Sequence, residues 1–160
     1  MNATNFDFDP DALGRKYQEE RDKRVRVDGN DQYQEVTGEF AYFVEDPYIA
    51  NELQREAIDE EVEVVIIGGG FGGMLAAARL REAGIDDFRI IEKGGDFGGT
   101  WYWNRYPGAS CDIESYVYFP LLENTGFVPK QKYTNAPETL EYCHVIAKKY
   151  ALHESALLQT

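Results

Sequence analysis

Hydrophobic residues are unevenly spread along this chain. Up to Glu61 the chain is polar and rich in charge, and from Val62 onward apolar residues gather into blocks with regular spacing. In the stretch DPDALGRKYQEERDKRVR, from Asp9 to Arg26, the apolar stripe is only Leu13, Tyr17 and Val25. That pattern predicts a solvated helix lying on some other surface. Asp9 supplies a cap and Pro10 suits the first helical position. Glu19 with Lys23, and Glu20 with Arg24, stand four apart with the acid first, as an exposed helix prefers. A second short helix is predicted around Pro47 to Ile58.

From Val62 the pattern changes. VEVVII is a run of β-branched residues with one acid, which predicts a strand buried on both faces of a parallel sheet. GGGFGG comes immediately after it. MLAAARLREAG then reads as a helix of strong formers stopped by Gly84, and FRII supplies a second strand ending at Glu92. Strand, glycine turn, helix and strand within about thirty residues make a βαβ unit. The fold class is therefore α/β and Rossmann-like, with an incomplete doubly wound sheet, because only two parallel strands are clear. Further on, APETLEYCHVIAKKYAL predicts a helix capped by Asn135, with Leu140, Cys143, Ile146, Ala147 and Tyr150 on its buried face. The composition divides the chain into a polar, helical extension, residues 1–61, and an α/β part, residues 62–160.

Charge narrows the partners. The 160 residues carry a net charge of -13, which opposes nucleic acid and anionic membrane surfaces alike. Hydrophobic residues make up 43%, enough for a core. No apolar run approaches the ~18 residues of a membrane-spanning helix. The two cysteines, Cys111 and Cys143, have no metal-ligand spacing, so no metal is expected and a cytoplasmic, reducing setting is.

Gly68, Gly70 and Gly73 fit G-x-G-x-x-G between a strand and a helix, with Gly69 and Gly72 as extras. The reasons are physical. Gly68 permits the tight turn, Gly70 lets a pyrophosphate approach closely, and Gly73 allows helix and strand to pack. The helix N-terminus offers unpaired N–H groups and partial positive charge to phosphates. Glu92 lies about twenty residues on, where a carboxylate accepts from both ribose hydroxyls and repels a 2′-phosphate. The turn is thus expected to hold the ADP half of FAD or NAD, with Gly68, Gly70, Phe71, Gly72, Gly73, Glu92 and Lys93 as its cofactor-contacting residues.

The next segment favours a flavin. GGTWYWNRYPGASCD, Gly98 to Asp112, sets aromatic rings and glycines side by side and ends on an acid. Glycines let backbone amides approach a flat ring, and aromatic side chains cover it and exclude water. The stretch resembles, position by position, the motif [AG]-G-x-W-x-x-x-x-[FY]-P-[GM]-x-x-x-D of Baeyer–Villiger monooxygenases, through Gly98, Gly99, Trp101, Tyr106, Pro107, Gly108 and Asp112. DIESYVYFP and the N-terminal KYQEERDKRVRVDGN also resemble that family.

The resemblance implies an enzyme that binds FAD in one Rossmann domain and NADPH in a second. It inserts oxygen from O2 into a ketone through a C4a-peroxyflavin, giving an ester or lactone. It further implies that Gly99, Thr100, Trp101 and Tyr118 contact FAD, and that Ser110, Cys111 and Asp112 approach the nicotinamide cofactor. Asp112 is the catalytic candidate, as partner of an arginine near the flavin. Two other readings stay open: another class B flavin monooxygenase, N- or S-oxygenating, and a non-catalytic nucleotide-binding or interaction protein.

The chain departs from the family pattern in having no second G-x-G-x-x-G, no F-x-G-x-x-x-H-x-x-x-W and no segment to supply the arginine. It is expected to be the first quarter or so of an enzyme whose remainder completes the fold. By itself it is expected to be marginally folded, to bind FAD weakly, and not to oxidise NADPH. Cys111 reads as a small buried residue, and His144 and His153 as ordinary residues in or beside a predicted helix, with no paired acids at catalytic spacing.

Overall fold

The βαβ pattern of residues 62–92 folds as such in the computed structural model, which describes residues 7–160. Strand β1, Val64–Ile67, leads through the glycine turn into helix α2, Phe71–Glu82, and back into strand β2, Phe88–Glu92. The two strands pair in parallel, Val64 opposite Phe88 and Ile67 opposite Ile91. Helix α2 starts at Phe71, earlier than expected, because Gly72 and Gly73 enter its first turn. It closes on Gly84 at φ +78°, with Gly84 N–H donating to Arg81 and Ile85 N–H to Leu80. This is the left-handed glycine stop that satisfies the last carbonyls of a helix.

A third strand was not visible in the sequence. β3, Ala156–Leu158, pairs in parallel with β2, giving the order β1-β2-β3. Its three residues are too few for a periodicity. Arg81 holds this end: its guanidinium donates to the Ala151 carbonyl and Ser155 hydroxyl at 3.2 Å each, bonds Asp86 at 2.9 Å, and lies over the Phe88 ring.

The core lies between the sheet and two helices. Met74, Ala77 and Ala78 of α2 join Phe88 and Ile90 of β2, together with Tyr142, Cys143, Ile146 and Ala147 of the long C-terminal helix. That helix is capped by Asn135, whose side chain accepts from Glu138 N–H. It ends at Lys149, short of the predicted span, because Ala151 turns left-handed at φ +50° into a 3-10 turn, Leu152–Ser155. Three one-turn helices precede it: α3, Thr100–Trp103, α4, Ser115–Tyr118, and α5, Leu122–Thr125; the long helix, Ala136–Lys149, is α6. Tyr142 stacks on Phe119 at 4.8 Å, and Phe127 and Phe71 complete an aromatic cluster under the start of α2.

The other face of β1 departs from the expectation of two-sided burial. Val64 and Ile66 face the core, whereas Val65 is 53% and Ile67 87% exposed. β1 is also an outer strand, so a row of its backbone groups has no ladder partner within this sheet.

The chain divides into two compact units, one up to Glu45 and one from Asp46 to Thr160. In the first, Pro10–Asp22 forms helix α1, with Asp9 accepting from the Asp11 and Ala12 amides. Glu20 pairs with both Lys23 and Arg24. Short 3-10 turns follow at Gly29–Gln32 and Gly38–Val44. Residues 46–61, grouped by composition with the polar extension, cluster with the α/β unit instead. The helix predicted around Pro47 to Ile58 does not form. Its backbone is committed elsewhere: Tyr48 N–H turns back to the Asp46 carboxylate, and Leu53 N–H donates to the Gln159 side chain at 2.8 Å. Arg55 bonds Thr160, and Glu60 pairs with Arg89 of β2 at 2.8 Å.

Candidate functional site

The glycine turn between β1 and α2 is built for close approach. Gly68 sits at φ +100°, open only to glycine, and a Cβ on Gly73 would run into the Gly68 carbonyl oxygen. Gly70, the N-cap of α2, is extended and brings no side-chain hydrogen bond to the helix. The first-turn N–H groups of a helix have no intrahelical acceptor. In α2 no capping side chain takes that place, so they remain available to an anion. Phe71 does not project outward from this turn; its ring lies 5.5 Å from Tyr118 and 6.1 Å from Tyr142, part of the aromatic cluster. Gly72 is exposed and Gly73 half-buried.

Glu92 stands at the mouth of this turn, although it is only 6% exposed. One carboxylate oxygen accepts from Gly69 N–H at 2.5 Å and the other from Gly94 N–H at 2.6 Å. Those two backbone bonds fix the plane of the carboxylate. Each oxygen keeps a second acceptor direction, which is what a ribose diol needs. Lys93, by contrast, is exposed, with its ammonium 5.5 Å from the Trp103 ring centroid.

A second glycine loop meets the first. Gly98 N–H donates to the Gly69 carbonyl at 3.0 Å. A Cβ on Gly99 would lie 2.7 Å from the Gly70 Cα, so the two backbones touch where only glycine fits. Gly98 and Gly99 have φ of +141° and +53°, and helix α3 starts at once with Thr100, which is exposed. Trp101 is 7% exposed; its indole N–H donates to the Tyr118 hydroxyl at 3.2 Å. Tyr102 is more buried still, at 3%.

The segment Ala109 to Cys111 is laced to the start of α6: Cys111 N–H donates to Thr134, Ala136 N–H to Ala109, and Ser110 bridges Asn135. A depression of about 470 Å³ runs between α3 and this segment, lined by Thr100, Trp101, Ser110, Cys111, Asp112 and Tyr118 among others. The predicted aromatic and acidic residues are therefore gathered into one concavity. Asp112 is exposed there, not buried as a carboxylate awaiting an arginine would be expected to be, and no arginine bonds it among the described residues. Cys111 is buried.

Sequence reasoning missed two groups. Asp46 and Tyr102 share a hydrogen bond of 2.6 Å beside the second glycine loop, a contact between distant parts of the chain that no local pattern signals. His144 and His153, read as ordinary, both approach Asp96, at 3.4 and 2.8 Å. Among the described residues no group of three or more potential ligands is placed to hold a metal ion.

Comparison with known proteins fits this geometry. Residues 66–126 match the family of NAD(P)-binding Rossmann-like domains. A Baeyer–Villiger monooxygenase of Stachybotrys chlorohalonatus is 49% identical over 159 residues, covering 99% of this chain and 25% of its own length. The solved polycyclic ketone monooxygenase of Thermothelomyces thermophila superposes with a TM-score of 0.77 at 44% identity, over 92% of this chain and 25% of that one. The enzyme OTEMO, solved in complex with FAD and NADP, gives a TM-score of 0.59 at 32% identity, over 64% and 20%. The chain thus spans about a quarter of the length of the relatives it matches. In sequence and in fold, the chain is similar to about a quarter of the length of proteins named as Baeyer–Villiger and polycyclic ketone monooxygenases.

Proposed function

We propose that this segment is the FAD-binding part of a monooxygenase that uses NADPH and O2 to insert oxygen into a ketone, giving an ester or lactone. One observation carries the reading: Glu92, the α2 N-terminus and the Gly98–Gly99 backbone converge on the Gly68–Gly73 turn. That cradle suits an adenosine diphosphate group without any lysine. Backbone dipoles take the diphosphate in a chain whose net charge of -13 would otherwise repel it.

When bound, FAD supplies the redox and oxygen chemistry; this chain's residues bind, orient and shield it. Gly70, Gly72 and Gly73 would present amides to the diphosphate, Gly68 would shape the turn while its own N–H stays bonded to the Ile91 carbonyl, and Glu92 would accept from the ribose. Gly99, Thr100, Trp101 and Tyr118 bound the concavity where the ring would lie, and the buried Trp101 indole keeps water from that side. Ser110, Cys111 and Asp112 line the same concavity, on the side we assign to the nicotinamide cofactor. Asp112 holds a negative charge there for an arginine supplied by chain outside this segment. A second dinucleotide site and the strands that would flank β1 come from the same source. Among the described residues no helix is long and apolar enough to cross a membrane. The reducing cytoplasm is the compartment that suits two unpaired thiols.

Product analysis tests the reading. The complete enzyme that carries this segment is supplied with FAD, NADPH, O2 and matched ketone, amine and thioether substrates. Ester or lactone from the ketone supports it; N- or S-oxides alone, or no flavin binding, contradict it.

A further inference from the structure

Two consecutive glycine amides after β2 point to two different acids. Gly94 N–H donates to Glu92, and Gly95 N–H donates to Asp46 at 2.9 Å and shares its hydrogen with the Tyr102 hydroxyl at 3.0 Å. The Tyr102 hydroxyl in turn donates to Asp46 at 2.6 Å. The Tyr102 side chain underlies the loop: a Cβ at Gly94 would lie 2.9 Å from its ring, one at Gly95 2.9 Å from its hydroxyl, and one at Gly98 3.0 Å from its Cβ. The Arg105 guanidinium caps the arrangement, 3.8 Å from the Tyr48 ring centroid and 4.6 Å from that of Tyr102. Neither the sheet ladder nor the α2–α6 packing uses these bonds.

We propose that Asp46 and Tyr102 form a positioning latch, through which the segment preceding β1 sets the loop Gly94–Gly99 and so the aim of Glu92 and the approach of Gly99 to Gly70. The inference rests on the reading of this site as an FAD cradle. It gives a role to a residue outside both the glycine turn and the aromatic motif. The path is continuous: Asp46 fixes Gly95, its neighbour Gly94 fixes one oxygen of Glu92, and Gly69, bonded to both Glu92 and Gly98, closes the circuit. Burial, then the bond to Asp46, pushes the Tyr102 phenol up to about 12, so it remains a donor at physiological pH. Neither Asp46 nor Tyr102 needs to touch FAD for the effect.

Tyr102→Phe, Asp46→Ala and the double variant are compared with the unmodified protein, each as apoprotein titrated with FAD by flavin fluorescence, alongside a thermal melt. The expected result is an FAD dissociation constant raised about tenfold by Tyr102→Phe, as loss of one charge-assisted hydrogen bond implies, and at least as much by Asp46→Ala, which also frees the Gly95 and Tyr48 amides, with the double variant no worse than Asp46→Ala alone. The bound-flavin absorbance band is expected to shift in the same variants, which a role in stability alone would not cause. FAD binding within twofold of the unmodified protein overturns the latch. So do losses that add in the double variant, or a loss of flavin that merely follows unfolding at the assay temperature. If the unmodified protein takes up no FAD, the FAD reading itself fails and the latch with it; normal uptake with unaffected variants sinks the latch alone.

Discussion

The backbone N–H of Gly98 donates to the carbonyl oxygen of Gly69 at 3.0 Å, clamping a loop after β2 onto the turn after β1. One residue further along each loop, Gly99 and Gly70 meet backbone to backbone. The contact brings the aromatic segment to the dinucleotide turn, and it leaves no room for a side chain. Gly99→Ala is expected to cost about 1–3 kcal/mol, because it adds a Cβ both at φ +53° and in contact distance of Gly70. Urea unfolding measures this. A change below about 0.5 kcal/mol, the range of an ordinary surface substitution, would contradict the close approach.

Glu92→Gln tests the carboxylate. Both oxygens accept backbone N–H groups, and an amide keeps one acceptor while turning a donor toward the other amide. A loss of about 1–3 kcal/mol in unfolding free energy is expected even without ligand. An unchanged urea midpoint would mean that the two backbone bonds contribute nothing.

The latch residues respond to pH at opposite ends. The folded-state phenol of Tyr102 is raised to about 12 from an ordinary 10.0, so its contribution is whole below pH 10 and is lost as pH rises through 12. For Asp46, burial works to raise the carboxyl, but hydrogen bonds from Tyr102, Tyr48 and Gly95 outweigh it and hold it below 3.8. Its contribution is present above 3.8 and disappears as pH falls further. The stability gap between the unmodified protein and Tyr102→Phe is therefore expected to close across pH 10–12, and that with Asp46→Ala to close below pH 3.8. Gaps that stay constant across these windows would contradict the pairing.

Both thiols are expected to resist a disulfide reagent until the chain unfolds. Cys111 and Cys143 are buried, and burial pushes the Cys143 thiol up to about 12, leaving almost no thiolate at neutral pH. Release of chromophore from the native protein within seconds would contradict this; release only in denaturant is the expected result.

Local sequence carried the parts of this fold that local physics controls. Asp9 and Asn135 cap where their side chains suggested, and Gly84 ends α2, because capping and left-handed turns depend on neighbours in the chain. The run from Val64 to Ile67 and the helix after it were legible for the same reason. β3 was not: a three-residue strand becomes a strand only by pairing with β2. The supposed helix at Pro47 failed because Leu53 and Arg55 find partners at the opposite end of the chain. In the candidate site, spacing placed Glu92 and the glycines, yet Asp46, far from both in sequence, could be found only in three dimensions.

Competition binding tests the central claim most directly: that the turn and Glu92 hold the ADP half of a flavin dinucleotide. The apoprotein is titrated with FAD while flavin fluorescence is followed, and the titration is repeated with FMN and with excess ADP. Saturable one-to-one binding of FAD, displaced by ADP and not reproduced by FMN, is the expected result. Binding of FMN as tight as that of FAD, or indifference to ADP, would contradict it.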